Sequence, residues 1–149
     1  MHYKLFKLII NLYPPYLFTG IKIIHISQDY RQITVQMKLH FYNKNYVGTH
    51  FGGSLFSMTD PFLMIMLIHN LGREYLVWDQ KSTIKFLKPG KGTVKAEFKI
   101  TEELLNEIKE NTADKKKYFP QFETDITDES GNIIAKVTKT IYVKNKNCP

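Results

Sequence analysis

The apolar residues of this chain follow a helical spacing at its start and an alternating spacing afterwards. In the first segment the apolar positions fall on one side of a helix, which predicts an amphipathic helix over 1–12 that packs on the body of the protein through Leu5, Leu8, Ile9 and Leu12. Beyond Pro14 and Pro15, alternation over 20–26 and 33–41 predicts two half-buried strands joined by a turn. The N-terminal part is therefore expected to form a helix followed by a β-hairpin.

The second half of the chain returns to alternation. This pattern predicts four further antiparallel strands, over 77–87, 93–100, 118–127 and 133–143. Thr101 is followed by two acidic residues, which is typical of an N-capped helix, here a short inserted one over 101–110. Six strands are thus predicted in all.

Residues 53–70 form a stretch that is apolar on nearly every side. A helix of this kind has to be buried, and six strands are enough to wrap around it. We therefore predict an α+β fold in which an antiparallel six-stranded sheet wraps around one long central helix. At 149 residues the chain is expected to form one domain, 1–149.

The pattern allows two starting points for the central helix. Ser54, directly after Gly52-Gly53, can cap a helix that begins there, and Pro61 then lies inside it and bends it beside Asp60. Alternatively, the helix begins at Asp60, with its carboxylate as the N-cap and Pro61 in the first turn. Both starting points stay open at this stage.

Asp60 is a candidate for chemistry because it is a carboxylate among apolar residues. Burial against Met58 and Phe62 is expected to raise its pKa above the reference value of about 3.9 and to make it a better base. The amides of Gly52 and Gly53, at the positive end of a helix dipole, are expected to attract an oxyanion. The segment thus combines a base with an anion-binding turn.

The run Gly52-Gly53-Ser54-Leu55-Phe56-Ser57-Met58-Thr59-Asp60 resembles the active-site segment of hotdog-fold acyl-CoA thioesterases of the phenylacetate-pathway type. Together with 43–60, 77–79 and 86–90, it is more similar still to an uncharacterised bacterial branch of that superfamily, which also occurs fused behind an acetyltransferase domain. The resemblance implies the hotdog fold and hydrolysis of an acyl-CoA thioester, with Asp60 as general base or nucleophile. It also implies a site between two subunits, and therefore a homodimer or homotetramer.

One position departs from the thioesterase pattern. Those enzymes usually carry histidine directly before the glycine pair, where this chain has Phe51, and His50 lies one residue earlier. His50 is a candidate general acid, although a structural role suits a loop histidine beside an aromatic residue. Phe51 is a candidate substrate contact.

Three polar side chains near the turn are further candidates. The thioesterases often hold water or the carbonyl with an amide, so Asn45 is a candidate catalytic residue and Asn43 a candidate substrate contact. Ordinary turn hydrogen bonding explains either asparagine equally well. Ser57, one turn before Asp60, can bind the carboxylate or bond back to its own helix.

The formal net charge is +7, and part of it gathers around one predicted hairpin. Lys85 and Lys88 are candidates for steering the anionic nucleotide of coenzyme A, while solvated surface charge explains them and the runs 115–117 and 139–146 equally well. No recognition helix, zinc spacing or aromatic sheet motif accompanies the charge, so no nucleic-acid partner is expected. The histidines do not pair at ligand spacing, so we expect neither a metal nor any cofactor beyond the coenzyme A of the substrate.

The remaining sequence features concern location. Cys148 is the only cysteine, which excludes an intrachain disulfide, agrees with a cytoplasmic protein and, so near the C-terminus, does not indicate a nucleophile. The apolar run 62–68 is too short to span a bilayer, so no integral membrane segment is expected. Attachment of the N-terminal helix to a membrane surface stays open.

The sequence therefore favours hydrolysis of an acyl-CoA thioester and leaves two alternatives. A hotdog dehydratase or hydratase would use His50 together with the acid, and replacing His50 should then abolish activity. A non-catalytic acyl-CoA-binding module would keep the pocket but tolerate Asp60→Asn.

Overall fold

One seven-stranded sheet organises the structure, a computed structural model in which residues 2–146 are described. The strands are β1 Ile21–Ile26, β2 Gln32–Lys38, β3 Tyr75–Phe86, β4 Thr93–Lys99, β5 Lys117–Tyr118, β6 Gln121–Asp128 and β7 Ile133–Asn145. The main path runs β1-β2-β4-β6-β7-β3 with antiparallel neighbours, and β5 also pairs with β7. The α+β fold with an antiparallel sheet is thereby confirmed.

The sheet has one strand more than predicted because the expected strand 118–127 is interrupted. Phe119 and Pro120 separate β5 from β6. Proline has no amide proton to donate to a neighbouring strand, so the ladder breaks there and resumes at Gln121.

Within the described residues, five α-helices accompany the sheet: α1 Tyr3–Leu12, α2 Pro14–Thr19, α3 Gly52–Ser57, α4 Phe62–Leu71 and α5 Glu102–Asn111. The predicted helix over 101–110 is present as α5, and the Thr101 hydroxyl accepts a hydrogen bond from the Leu104 amide at 3.3 Å. α2 was not predicted, since the two prolines were interpreted only as the end of a helix. They occupy its first two positions instead, where a missing amide proton costs nothing.

The predicted central helix over 53–70 is divided in two. α3 ends at Ser57 and α4 begins at Phe62, with Pro61 at its N-cap position and Asp60 in the connection. Neither predicted starting point is therefore correct alone: the helix begins at the glycines, and Pro61 interrupts it completely because its ring and missing amide proton do not fit a helix interior.

α4 forms the centre of the core. Phe62, Met66 and Leu67 are fully buried, and the ring of Phe62 lies 5.3 Å from that of Phe98 on β4. The apolar sequence that predicted a wrapped helix thus covers the inner face of the sheet, and its N-terminal end brings Asp60 to the edge of this core.

α1 lies against β1, the outermost strand on one side of the sheet. The Asn11 side chain accepts from the Ile23 amide at 2.7 Å and donates to the Ile23 carbonyl at 3.2 Å. The Lys7 ammonium donates to the Ile24 carbonyl at 2.6 Å. Polar side chains of α1 therefore bind the backbone of β1 as a further strand would.

The face of α1 that packs on the protein differs from the predicted one. Phe6 is buried and Tyr3 and Ile10 are packed against the core. The predicted stripe faces away from the core and is exposed: Leu5 by 50%, Leu8 by 56%, Ile9 by 48% and Leu12 by 58%. The prediction that this stripe packs on the body is wrong, because Lys7 and Asn11 bind β1 and so turn the stripe outward.

Candidate active site

Asp60 lies between α3 and α4, where its carboxylate meets a buried lysine. Lys139 on β7 donates through Nζ to Asp60 Oδ1 at 2.7 Å and to Asp79 Oδ2 on β3 at 2.7 Å. The Lys139 side chain is 2% exposed, that of Asp79 23% and that of Asp60 60%. A buried ammonium is costly unless it is paired, so the two carboxylates stabilise the charge in this position. We refer to these three residues as the acid–lysine cluster.

Lys139 occupies an inward-facing position of β7. The inward-facing buried side chains alternate along the strand as Ala135, Val137, Lys139, Ile141 and Val143, and Ile134 and Tyr142 near its two ends are buried as well. Lys139 is the one charged member of this row. The interpretation of Lys139 as solvated surface charge is therefore wrong, and its place in the alternation is the signal in the sequence that it is buried.

A β-bulge positions Asp79. Asp79 pairs with Ile141 and Lys81 with Thr140, so Gln80 is an extra residue in β3. Bulges bend a strand and redirect its side chains, and they are frequent next to functional sites. Asp79 Oδ1 is buried without a hydrogen-bond partner within residues 2–146.

A cavity of about 540 Å³ opens beside the cluster. Its walls come from the α1–α2 corner, the α3–α4 connection and the bulge: Tyr13, Pro15, Tyr16, Phe56, Ser57, Asp60, Pro61, Asp79, Gln80, Lys81 and Ser82. We refer to it as the Asp60 cavity. It combines two carboxyl groups with aromatic and apolar walls, a composition that suits an apolar ligand with one reactive polar group.

The cluster shifts the pKa values of its two carboxyl groups in opposite directions. Burial raises the pKa of Asp60, but the hydrogen bonds of Lys139 and Asp79 together with the lysine charge outweigh burial, and the pKa is lowered. Burial also raises the pKa of Asp79, and there the interaction with Asp60 adds to burial and the pKa stays raised in spite of Lys139. The predicted rise for Asp60 is therefore wrong, and Asp60 is the carboxylate that is ionised at neutral pH.

Tyr16 places a buried hydroxyl in the wall of the Asp60 cavity. The residue is 4% exposed, its ring packs 5.9 Å from that of Phe62, and its hydroxyl has no hydrogen-bond partner in the described part of the chain. Burial, and then the charge of Asp60, raise the pKa of this hydroxyl. The group therefore keeps its proton and can act as a donor. Sequence analysis did not single out Tyr16, because a tyrosine after two prolines carries no distinguishing pattern.

The two glycines of the predicted oxyanion site open α3 beneath aromatic rings. A Cβ on Gly53 would lie 2.5 Å from the Phe51 ring, and one on Gly52 would lie 2.9 Å from the Phe86 ring. Glycine is therefore required at both positions unless the rings move. Their amides are the first of α3, and such amides have no partner within a helix.

The glycines and Asp60 line different cavities. Gly53 and Phe51 line a cavity of about 410 Å³ together with Asn43, and Ser57 lines both this cavity and the Asp60 cavity. The Ser57 hydroxyl donates to the Gly53 carbonyl at 2.9 Å, which is the bond back to its own helix that the sequence allowed.

Asn43 and Asn45 are both engaged in hydrogen bonds of the loop. Asn43 is buried, accepts from the His40 amide at 2.7 Å, and donates to the Thr19 and Lys38 carbonyls at 2.9 and 2.8 Å. Asn45 accepts from the Thr49 amide at 3.0 Å and donates to its hydroxyl at 2.9 Å. Turn formation therefore accounts for both side chains, and their roles at a substrate stay predictions.

His50 lies in a different cavity from Asp60. This cavity of about 690 Å³ is also lined by Asn45, Gly52, Phe86 and Lys88. The His50 ring is buried, and its Nε2 donates to the Gly92 carbonyl at 3.0 Å, while Nδ1 has no partner among the described residues. Burial lowers the pKa of His50 although the bond to Gly92 opposes it, so the ring is neutral at pH 7.

The two candidate lysines are both exposed. Lys88 lines the His50 cavity, and its ammonium donates to Asn132 Oδ1 at 3.2 Å. Lys85 lies opposite Lys136 in the β3–β7 ladder. The structure thus brings Asn45, His50, Gly52 and Lys88 together in one cavity and places Asp60 with Ser57 in another.

The family model described as "Domain of unknown function (DUF4442)" matches residues 3–143. The chain belongs to this family. No curated protein matches this DUF4442 domain. Its fold is similar to that of several solved structures. One is a Pseudomonas aeruginosa protein of unknown function, described as a probable thioesterase, with 16% identity, coverage of 97% of each chain and a TM-score of 0.83.

Two further similar structures belong to proteins with more definite names. A Haemophilus influenzae thioesterase has 16% identity, covers 93% of this DUF4442 domain and 87% of its own chain, and has a TM-score of 0.67. The Escherichia coli PaaI protein, from the phenylacetic acid degradation operon, has 16% identity, coverage of 94% and 91%, and a TM-score of 0.66. These similarities establish the hotdog fold of the DUF4442 domain.

Two further observations concern metals and membranes. Within residues 2–146 no group of three or more histidine, cysteine, aspartate or glutamate side chains is arranged to hold a metal ion. None of the described helices is long and apolar enough to cross a bilayer. Cys148 lies outside the described residues.

Proposed function

We propose that this DUF4442 domain hydrolyses the thioester bond of an acyl-CoA, with Asp60 as the reacting carboxylate. The observation that carries the proposal is an ionised Asp60, held by the buried Lys139 at the edge of the Asp60 cavity. Similarity of fold to proteins named as thioesterases supports the same reaction class. The reaction is proposed to take place in the cytoplasm without a further cofactor.

In the proposed reaction, Asp60 acts as the base or as the nucleophile. As a base it takes a proton from water while the water oxygen attacks the thioester carbonyl carbon. As a nucleophile it attacks that carbon itself, and water then cleaves the mixed anhydride. In both routes the carbon–sulfur bond breaks, and the coenzyme A thiolate leaves and takes up a proton. Because Lys139 fixes Oδ1, the carboxylate is oriented before the substrate arrives.

We further propose that the carbonyl oxygen is polarised by the amides of Gly52 and Gly53 across a homodimer interface. These amides line other cavities than Asp60, so a site shared by two subunits would bring both groups to one substrate. Among the described strands β3 pairs only with β7, which leaves its outer edge available for a second copy. Lys88, which lines the cavity of His50, and Lys85, which does not line it, would bind the nucleotide of coenzyme A.

The test is hydrolysis of a panel of aliphatic and aromatic acyl-CoA thioesters, followed by release of free thiol. Asp60→Asn should lower the rate on any hydrolysed substrate by ~10²–10⁴, because a positioned base typically contributes that factor. The matched control is Asp125→Asn. Asp125 is also an aspartate paired with a lysine of β7, Lys136 at 3.4 Å, but it does not line the Asp60 cavity.

Three results would contradict the proposal. Equal rates for wild type and Asp60→Asn would exclude Asp60, and loss of activity in His50→Gln alone would favour a dehydratase or hydratase. No turnover on any thioester, with coenzyme A thioesters still raising the melting temperature, would indicate a binding module. In a single turnover in ¹⁸O-labelled water, label in the Asp60 carboxylate would identify the nucleophilic route with attack of water on the Asp60 carbon of the anhydride, because a general base takes up no oxygen.

A further inference from the structure

The outer face of α1 is apolar in a position where a surface helix is normally polar. Leu5, Leu8, Ile9 and Leu12 follow one another at helical spacing, and each is about half exposed. The exposed apolar side chains continue past the end of α1 with Tyr13, Leu17 and Phe18, which are 51%, 46% and 75% exposed. Contiguous exposed apolar surface of this kind marks a contact with a partner or with lipid.

The segment that forms this face carries charge of one sign only. Residues 2–28 contain Lys4, Lys7 and Lys22 and no aspartate or glutamate, and the first acidic residue is Asp29. Lys4 and Lys22 are exposed on α1 and β1. An apolar helix face that carries exposed lysine and no carboxylate of its own is complementary to the surface of a bilayer that contains anionic lipids.

We propose that the face formed by Leu5, Leu8, Ile9 and Leu12 docks onto an anionic lipid surface. A second copy of the chain fits this face less well. In a two-fold contact the same patch meets itself, so the lysines of one copy would face those of the other without an acidic residue from 2–28 between them. Anionic headgroups supply the missing negative charge.

The apolar face of α1 lies near the Asp60 cavity, so docking would place a bilayer close to this cavity. Tyr13, Pro15 and Tyr16, at the α1–α2 corner, line the Asp60 cavity. A bilayer in contact with α1 and α2 would therefore lie beside the Asp60 cavity. The docking itself does not depend on the proposed hydrolysis, and its test requires no turnover.

The test is flotation of the full chain with lipid vesicles. Vesicles of equal parts phosphatidylcholine and phosphatidylglycerol should carry the wild type upward, vesicles of phosphatidylcholine alone should carry less, and added salt should weaken the binding. Leu8→Glu combined with Leu12→Glu should lower binding by about tenfold or more, because the variant loses two apolar side chains and gains two negative charges.

The matched control is Phe41→Glu combined with Tyr46→Glu. It changes two exposed apolar residues in the loop between β2 and α3, at 85% and 106% exposure, and should bind as the wild type does. If the glutamate pair on α1 fails to fold by circular dichroism, Leu8→Asn with Leu12→Asn tests the same face. Absence of wild-type binding to either vesicle, or unchanged binding of the α1 variants, would overturn the proposal. So would a loss of oligomeric mass in those variants without any vesicle binding, which would identify a second copy as the occupant.

Discussion

Lys139 is the residue on which the state of the candidate site depends. Its ammonium donates to both Asp60 and Asp79 at 2.7 Å. Burial raises the pKa of both carboxyl groups, but the hydrogen bonds and the lysine charge outweigh burial at Asp60 and lower its pKa, whereas the pKa of Asp79 stays raised. The site therefore has one acid that is ionised and one that retains its proton more readily.

Replacing Lys139 by methionine should raise the pKa of Asp60. The substitution removes the hydrogen bond and the positive charge of Lys139, which lower this pKa, so that burial, which raises it, is opposed only by the hydrogen bond of Asp79. A carboxyl ¹³C NMR titration measures the change directly, and the acidic limb of any hydrolysis profile should move to higher pH. The free energy of unfolding should fall by about 1–3 kcal/mol because buried polar atoms lose a partner. Lys136→Met, which breaks the Lys136–Asp125 pair, is the matched control, and an unchanged Asp60 titration in Lys139→Met would contradict this account.

His50 should make the free energy of unfolding depend on pH. Its pKa in the folded protein lies below the ordinary 6.5, so below that pH the unfolded chain binds a proton that the folded protein does not. Stability should therefore decrease as the pH falls from about 6.5 towards the folded-state pKa, and His50→Gln should remove part of this decrease. His69, whose pKa is also lowered mainly by burial, should account for a remainder.

Urea unfolding at neutral and mildly acidic pH measures the effect of His50→Gln. His25→Gln, at an exposed position of β1, serves as the control for the loss of an imidazole. An unaltered slope in His50→Gln would mean that the ring has the same pKa in the folded and unfolded states, which would contradict the lowered pKa.

At the scale of the elements, strands were predicted better than the interruptions within them. Alternation located both strands of the first hairpin and the later strands to within a few residues, since it records directly which face of a strand is buried. Prolines caused the main errors. Pro14 and Pro15 begin α2, Pro61 separates α3 from α4, and Pro120 separates β5 from β6.

The sequence identified only those residues of the candidate site that lie close together along the chain. Gly52, Gly53 and Asp60 belong to a single run, so local sequence identified them. Lys139 on β7 and Asp79 on β3 lie 79 and 19 positions after Asp60 along the chain. Only the register of the sheet brings these two residues to Asp60. The direction of the Asp60 pKa shift was therefore beyond sequence analysis, because it depends on the lysine and not on the neighbouring apolar residues.

At the scale of the whole molecule, the proposed homodimer would extend the sheet through β3. Consecutive amides of an edge strand point alternately to the neighbour and to solvent, so in a lone chain every second amide of Tyr75–Phe86 should exchange rapidly with deuterium. In a pair formed through β3, the amides of the paired stretch should all be protected, and light scattering should give twice the mass of one chain. Rapid alternate exchange along the full strand would exclude pairing at this edge.

The attachment of α1 to β1 makes the two edges of the sheet unequal. Asn11 and Lys7 occupy the backbone groups of Ile23 and Ile24, while the far edge of β3 carries no such cover from residues 2–146. A sheet that is open on both sides can grow without limit, because each added copy presents a fresh edge to the next. Here pairing through β3 would leave only the two β1 edges exposed to a further copy, and α1 lies against each of them. The sheet would therefore not extend beyond two chains. In the proposed homodimer, the side chains of α1 would thus limit the assembly to two chains and prevent growth into a fibre.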